Sequence, residues 1–453
     1  MRLIMKFGGT SMAGADRIKH AASLALVAGR EHQVVTVVSA MDGMTEKLLD
    51  LADAAAAGKH GVVDSLLAAI RAEHERAAAG LNAPQTVAPL LTRLDTLARG
   101  IAAVEELTPR SRDAVVAFGE LLSAAMMGAA MQSQVFSGHQ AGIVTNDHFG
   151  EADPLMDISM YQVRQHLEPL LQQRKPVVVT GFVAANQHGV TSTLGRGGSD
   201  YTATILGAAL KADEIWIWSD VDGLMTADPR VVPDARLLTE ITFEEAVEMG
   251  KFGAKSMHPR ALEPAAHHEI PVRMRNTFKP EGKGTLIARS PALTSNPVRA
   301  VPALKNMALL TIGGAGMIGR PGTAATVFSA LSQARVNVHM ISQSVSEAGI
   351  SLVVSNKDLD LARAALLKAL TPEGLADHIE AQQNLSIVAV IGPGMRGTPG
   401  IAARTFTAIA REKLNIIAIA QGSSELSISL AVQEESGPKA VKALHTEFHL
   451  DRA

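Results

Sequence analysis

Residues 2–11 read Arg2-Leu-Ile-Met-Lys-Phe-Gly-Gly-Thr-Ser11. Leu3, Ile4 and Met5 predict a buried strand, and the apolar positions Ile18, Ala21, Ala22 and Leu26, recurring at helical spacing, predict the helix after it. Between the two stands a lysine followed by paired glycines. Glycines let backbone N–H groups approach a polyanion, a helix start adds the positive end of its dipole, and Lys6 supplies a point charge, so Lys6, Gly8, Gly9, Thr10 and Ser11 form a candidate phosphate cradle. GxxxxGK[ST] is absent, so the loop is not of the Walker type, and a plain Gly-Gly turn beside a surface lysine is the other reading.

Outward from this point the same alternation recurs. Gln33 to Ser39, Lys175 to Thr180 and Glu214 to Ser219 are continuous apolar or β-branched runs separated by helical patterns, as expected of an α/β domain whose mainly parallel sheet is buried on both faces. From Thr45 to Ala130 the pattern is almost wholly helical, with Leu48, Leu49, Leu51 and Ala52, then Leu66, Leu67 and Ile70 in register. This predicts a helical insert or lid. Pro291 and Pro297 punctuate a polar stretch near residues 288–296, where the main domain boundary is placed. Beyond it, Gly314-Ala-Gly-Met-Ile-Gly-Arg-Pro-Gly322 returns as Gly392-Pro-Gly-Met-Arg-Gly-Thr-Pro-Gly400, an offset of 78 that also carries Phe328 to Phe406, Asn337 to Asn415, Gln343 to Gln421 and Ser346-Glu347 to Ser424-Glu425. Each copy reads strand, Gly-rich turn, helix, strand, turn, strand, helix. The C-terminal third is therefore expected to hold two small α+β modules of one build. Both copies match GxGxxG, but the following strand ends carry Ser342-Gln343 and Ala420-Gln421 rather than the acid a dinucleotide ribose needs, so a dehydrogenase reading is rejected.

The chain has 453 residues, 47% of them hydrophobic and 19% charged, with a formal net charge of −3. That length predicts more than one core, and neither charge nor aromatic content suggests nucleic acid. With no cysteine, disulfides, thiolate metal sites and cysteine nucleophiles are excluded. The first residues read as a strand rather than a signal peptide, and no uninterrupted apolar run reaches the length of about 18 residues that a membrane-spanning helix needs. The expectation is a soluble, cytoplasmic protein. No HExxH, zinc-type spacing or GxSxG elbow occurs.

Four further clusters carry chemistry. Thr193-Leu-Gly-Arg-Gly-Gly-Ser-Asp200 is a second glycine loop before a helix, in which Arg196 can fork onto a carboxylate and Asp200 can orient an ammonium, a metal ion or Lys6; helix capping by Ser199 or Asp200 is the plainer role. Ser219-Asp220-Val-Asp222-Gly-Leu-Met-Thr-Ala-Asp228-Pro-Arg230 follows a strand end, where open parallel sheets line their ligand crevice, so Asp220 and Arg230 could hold ribose and phosphates. Lys255, in Gly253-Ala-Lys-Ser-Met-His258, is another possible nucleotide contact, whereas His258 before a proline reads as structural. Finally, Thr45 follows a strand and its loop, and Glu120 stands on an apolar helix face. Such an acid needs a partner, either a substrate ammonium or a base such as Arg112.

Taken in order, KFGGTS, TLGRGGSD, SDVDG with TADPR, GAK with HPR, and Val272-Arg-Met-Arg-Asn-Thr-Phe278 resemble the aspartokinases, in their monofunctional form with paired ACT domains, over essentially the whole chain. The resemblance implies a three-layer amino-acid-kinase fold with a helical insert over residues 1–285, a linker and strand over 286–303, and two ferredoxin-like ACT domains over 304–382 and 383–453. It implies that the strand Val298 to Leu304 belongs with the second ACT unit. It also implies ATP with magnesium as cofactors, no dedicated protein metal site, and phosphorylation of the β-carboxylate of L-aspartate as the first step toward lysine, threonine and methionine. On these positions, Lys6 and Asp200 would be catalytic, with Gly8, Gly9, Thr10 and Ser11 at the phosphates. Thr45, Glu120, Arg196, Gly197, Gly198 and Ser199 would bind aspartate. Ser219, Asp220, Met225, Arg230, Lys255 and Ser256 would line ATP. Met317, Ser342, Gln343, Gly349 and Ile350 become candidates for sensing lysine or threonine, and ACT domains associate into homodimers. Three positions depart from the family pattern: Met225 where an aromatic is common, Glu46 where Asn is common, and Gly349 where the effector loop often has Asn; Ser427 stands in the equivalent place of the second module. A sibling amino-acid kinase and a non-catalytic amino-acid sensor are the competing readings.

Overall fold

Strand Arg2–Phe7 lies in the middle of an eight-stranded sheet. In a computed structural model that describes residues 1–252, 257–289, 296–344, 349–372 and 374–452, the sheet runs in the order Gln134–Phe136, Val177–Thr180, Gln33–Val38, Arg2–Phe7, Glu214–Ser219, Val272–Asn276, Thr285–Ala288, Glu240–Thr242. Every neighbouring pair is parallel except Val272–Asn276 against Thr285–Ala288. Successive strand residues face opposite sides. Leu3, Met5 and Phe7 enter the core with Ile18 and Ala21 of helix Ala15–Glu31 and with Leu122 and Met126 of helix Phe118–Met131. Ile4 faces the other way, close to Gly207 of helix Gly198–Leu210. Lys6 shares that second face.

The insert consists of helices Met44–Ala56, His60–Gly80, Ala88–Val104, Pro109–Val116 and Phe118–Met131. Leu48, Ile70, Leu91 and Leu94 belong to the same core as the central strand, so the insert is a built-in part of the domain rather than a detachable lid. Thr108 caps helix Pro109–Val116 by accepting the Ser111 N–H at 3.1 Å, with proline in the first helical position. Pro109–Met131 as a whole is long and apolar enough to cross a membrane, but its apolar window is 72% buried within the protein. Its face is spent on the core.

The chain divides into two compact units, one of Met1–Leu224, Leu237–Gly250 and Lys255–Ala292, the other of Met225–Arg236, Lys251–Ala254 and Leu293–Ala453. The second unit is built on a six-stranded antiparallel sheet, ordered Met340–Gln343, Gly349–Ser355, Ala303–Gly313, His378–Ile391, Ser427–Gln433, Ala418–Gln421. The duplication is visible in its helices, Thr323–Gln333 against Ile401–Arg411 and Leu359–Leu370 against Gly437–Glu447. The long strands Ala303–Gly313 and His378–Ile391 serve both copies. Ala303 and Leu304 pair with Val388 and Ile387, and Val298 and Val301 pack in the core of the second copy, so the first copy is set inside the second. Into that same core go Ala227 and Val232. The Thr226 and His445 side chains are hydrogen-bonded at 2.9 Å, and the Thr226 carbonyl accepts the Val301 N–H at 2.7 Å. Two apolar residues hidden among charged neighbours thus carry the segment Met225–Arg236 into the second unit.

Candidate active site

Because Lys6, next to last in its strand, lies on the face covered by helix Gly198–Leu210, it meets Asp200 in that helix's first turn, Nζ to Oδ1 at 2.5 Å. Lys6 is only 8% exposed, so the pair is held with little screening by water. Gly8 donates its N–H to the Trp218 carbonyl at 3.0 Å, and the hydroxyls of Ser11 and Thr277 share a hydrogen bond of 2.6 Å. These contacts seat the glycine loop on the strand beside it. The loop does not run straight into the long helix: Gly9–Met12 forms a single 3-10 turn, Gly14 bends the chain at φ 94°, and the helix starts only at Ala15. The helix start that does face the pocket belongs to Gly198–Leu210, entered through Gly197 at φ 72°.

Lys6, Gly9, Thr45, Glu120, Arg196, Gly197, Gly198, Ser199 and Asp200 line one cavity of about 520 Å³. Gly8, Thr10 and Ser11 lie beside it without lining it. Glu120 is 4% exposed; its Oε1 accepts the Ala40 N–H at 3.1 Å, while Oε2 has no hydrogen-bond partner among the described residues. Burial pushes its carboxyl up to about 8, against the smaller opposing effects of the Ala40 N–H and Lys6. Arg112 is not its partner, being paired with Asp53. Arg196 is exposed and forms no ion pair among the described residues. His258 precedes helix Pro259–His267 and packs against Gly197, where an added Cβ would lie 2.6 Å from the His258 Cβ. Burial, then Arg196 and Arg260, hold its imidazole below the ordinary histidine range.

The same cavity contains residues not expected from the sequence: Asp42, Asp113, Glu151 and Phe182. Asp113 precedes Glu120 by seven positions, a spacing that puts two acids on one helical face and could have drawn attention to it.

At the nucleotide candidates, Ser219 ends strand Glu214–Ser219 and Asp220 follows. Asn276 reaches the Asp220 carbonyl at 3.5 Å and Asp222 at 2.6 Å, and Lys279 pairs with Asp222 at 3.0 Å. The Asn276 bond, then Lys279, hold the Asp222 carboxyl below its usual range. The Trp218 ring of this strand stacks on Phe7 of the neighbouring strand at 6.0 Å, and the Arg275 guanidinium lies over Trp216 and Trp218 at 4.5 and 4.7 Å. Met225 and Arg230 belong to the second unit; the Arg230 side chain is 89% exposed and forks onto Asp228, with contacts of 3.0 and 2.7 Å. Lys255 and Ser256 lie outside the described residues.

Of the regulatory candidates, Met317 and Gln343 line a cavity of about 290 Å³ with Arg320 and Thr323. Ser342 and Gln343 pair with Ser351 and Ile350 across two strands; Ile350 is buried in the module core and Gly349 opens its strand. Ser346 and Glu347 lie outside the described residues.

Comparison with known proteins gives concordant matches. The model of the amino acid kinase family matches residues 1–276, and that of an ACT domain matches residues 310–370 and 388–448. The chain is 33% identical to the bifunctional aspartokinase/homoserine dehydrogenase 1, chloroplastic, of Arabidopsis thaliana, covering 99% of this chain and 51% of the relative. It therefore spans about half the length of the bifunctional relatives it matches. Aspartokinase 2, chloroplastic, of the same plant is 33% identical, covering 98% of this chain and 84% of the relative. Among solved structures, Escherichia coli aspartokinase III in complex with aspartate and ADP superposes with a TM-score of 0.85 at 32% identity, covering 99% of both chains; its complex with lysine and aspartate gives 0.80, at 32% identity and 98% and 99% coverage.

Proposed function

Since this chain belongs to the amino acid kinase family, and within it to the aspartokinases, we propose that it transfers the γ-phosphoryl group of ATP to the β-carboxylate of L-aspartate. The observation that carries this reading is Glu120, a buried acid with one oxygen unpartnered among the described residues, in the cavity that also holds Arg196 and Lys6. An α-amino acid presents an ammonium and a carboxylate. Glu120 receives the first, Arg196 forks onto the second, and Thr45 hydrogen-bonds the substrate beside them.

A β-carboxylate oxygen then attacks the γ-phosphorus, the bond from that phosphorus to the β,γ-bridging oxygen breaks, and ADP departs. No proton must move, because a carboxyl of ordinary pKa about 3.9 is already ionised at neutral pH. Positioning and neutralisation of the transferring charge carry such a step. Lys6 supplies the neutralising cation, with Gly8, Gly9, Thr10 and Ser11 at the phosphates, and Asp200 holds Lys6 in place. Magnesium, bound mainly through substrate phosphates, needs only one or two protein carboxylates. The site fits that demand, with the Asp200 carboxylate beside the cradle. Its charge would lower the repulsion among the phosphates. Ser219, Asp220, Lys255 and Ser256 are the nucleotide contacts of the first unit in this reading. The cavity at Met317 and Gln343 receives an amino-acid effector, lysine or threonine. Two chains pair through their ACT sheets, whose outer strands expose Ile341 and Ile419; a light-scattering mass of a single chain at micromolar concentration would exclude that pairing.

Trapping the acyl phosphate with hydroxylamine tests the catalytic reading. Aspartyl hydroxamate is expected from ATP, magnesium and L-aspartate, with none from L-glutamate and a loss of at least about 100-fold for Lys6→Ala and for Arg196→Ala. Product from glutamate but not aspartate would move the chain to a sibling kinase.

A further inference from the structure

We propose that Asp113 is a positioning residue for the amino-acid substrate, a buried carboxylate that fixes the turn carrying Arg196. The inference rests on the aspartate-kinase reading above. Asp113 is 1% exposed. Its Oδ2 accepts the N–H groups of Gly150 at 3.0 Å and Thr193 at 2.9 Å, and its Oδ1 accepts the Thr193 hydroxyl at 3.0 Å. All three donors are neutral, and no ion pair reaches the carboxylate among the described residues. A buried acid without a cation is costly to keep. What it holds is therefore informative.

Thr193 ends a short strand, and two residues later the chain turns through Gly195 and Gly197, both at φ 72°, with Arg196 between them. The Thr193 carbonyl accepts the Ala152 N–H at 2.9 Å, and an added Cβ on Gly195 would lie 2.9 Å from the Glu151 Cγ. The segment at 150–152 and the start of the arginine turn are thus bound to each other, and Asp113 clamps both. Asp113 itself stands on helix Pro109–Val116, which continues through Ala117 into the helix bearing Glu120. One rod therefore references the receptor for the ammonium, directly, and the receptor for the α-carboxylate, through Asp113. The spacing between the two receptors is fixed by a single element.

The test compares Asp113→Leu, Asp113→Asn and Thr193→Val in the full chain, with steady-state kinetics and amide hydrogen exchange. Asp113→Leu is expected to raise KM for aspartate by about tenfold or more while KM for ATP stays within about twofold, since only the turn at Arg196 is released. Exchange at residues 194–198 should accelerate in the same variant. Asp113→Asn, which retains an acceptor for the two N–H groups, should restore both readouts, and Thr193→Val should fall between. Equal rises in both KM values, or faster exchange with KM for aspartate unmoved, would overturn the proposal. If Asp113→Leu fails to fold, Thr193→Val decides alone: an unchanged KM for aspartate and unchanged exchange reject the clamp. A wild-type chain that forms no aspartyl hydroxamate would instead reject the substrate reading, and with it this role of Asp113.

Discussion

Glu120 shows how one buried side chain sets a pH dependence. With its carboxyl pushed up to about 8, the empty site holds it protonated at neutral pH, whereas an ammonium ligand requires the carboxylate. Aspartate binding is therefore expected to release a proton and to tighten about tenfold per pH unit until pH passes about 8. Titration calorimetry in buffers of different ionisation heat measures that proton; Glu120→Gln should bind weakly and with a flat profile. Stability moves the other way. The folded pKa lies above the unfolded one, so the folded chain retains a proton that the unfolded chain loses between about 4.5 and 8, and stability falls as pH rises through that window. Glu120→Gln should accordingly gain more in Tm at pH 8.5 than at pH 5. Gly349 gives a second expectation at this scale. Asn would offer an effector a donor and an acceptor, and Gly offers neither, so lysine or threonine should inhibit only well above micromolar concentration; micromolar inhibition in the hydroxamate assay would contradict this. Lys6, Glu120, Arg196 and Asp200 were legible because glycine loops or an apolar helix face mark them. Asp113 was not singled out, because its one local mark, the seven-residue spacing from Glu120, does not reveal a carboxylate that works by holding two distant backbone segments.

At the scale of elements, close approach matters as much as propensity. Gly119 sits where helix Phe118–Met131 crosses the loop after strand Gln33–Val38, and an added Cβ would lie 2.7 Å from the Ala40 Cβ and 3.3 Å from the Leu48 Cδ1. In an exposed helix, Gly→Ala would stabilise by about 1 kcal/mol; here overpacking should reverse the sign and cost about 1–3 kcal/mol. Urea unfolding of Gly119→Ala measures the sign, and a rise in KM for aspartate is expected with it, because the displaced loop carries the Ala40 N–H that steadies Glu120. The central strands and the helix after the arginine turn could be read from apolar runs and period. The 3-10 turn at Gly9–Met12 could not, since a four-residue turn leaves no periodic signature, and neither could the joining of both small modules into one sheet. That joining depends on pairings between Ala303–Leu304 and Ile387–Val388, which no local sequence feature records.

The whole molecule combines these effects into a stability window. Against the loss from Glu120 as pH rises from about 4.5 to 8 stand His74 and His445, both almost fully buried and both held below the ordinary histidine range, chiefly by burial. Nearby Asp451 and Asp234 oppose the shift at His445, as Glu73 and the Ile70 carbonyl do at His74. A folded pKa below the unfolded one gives stability that is present above about 6.5 and is lost as pH falls through the folded value. On the acid side of neutrality the histidines therefore lose stability where Glu120 gains it, and between pH 7 and pH 5 His445→Gln should lose less Tm, or gain more, than the wild type. The two-part architecture and the duplicated modules were readable from the repeat alone. The excursion of Met225–Arg236 into the second unit was not, because its anchors, Ala227 and Val232, look unremarkable beside Asp228 and Arg230. A last consequence concerns light. The sequence has two tryptophans, and both lie on the strand that delivers Ser219 and Asp220, under one arginine cation. Indole emission from this chain thus arises on a single strand, with Trp218 one peptide before Ser219, so ligand titrations at the loop proposed to hold the nucleotide can be followed optically without attaching any dye.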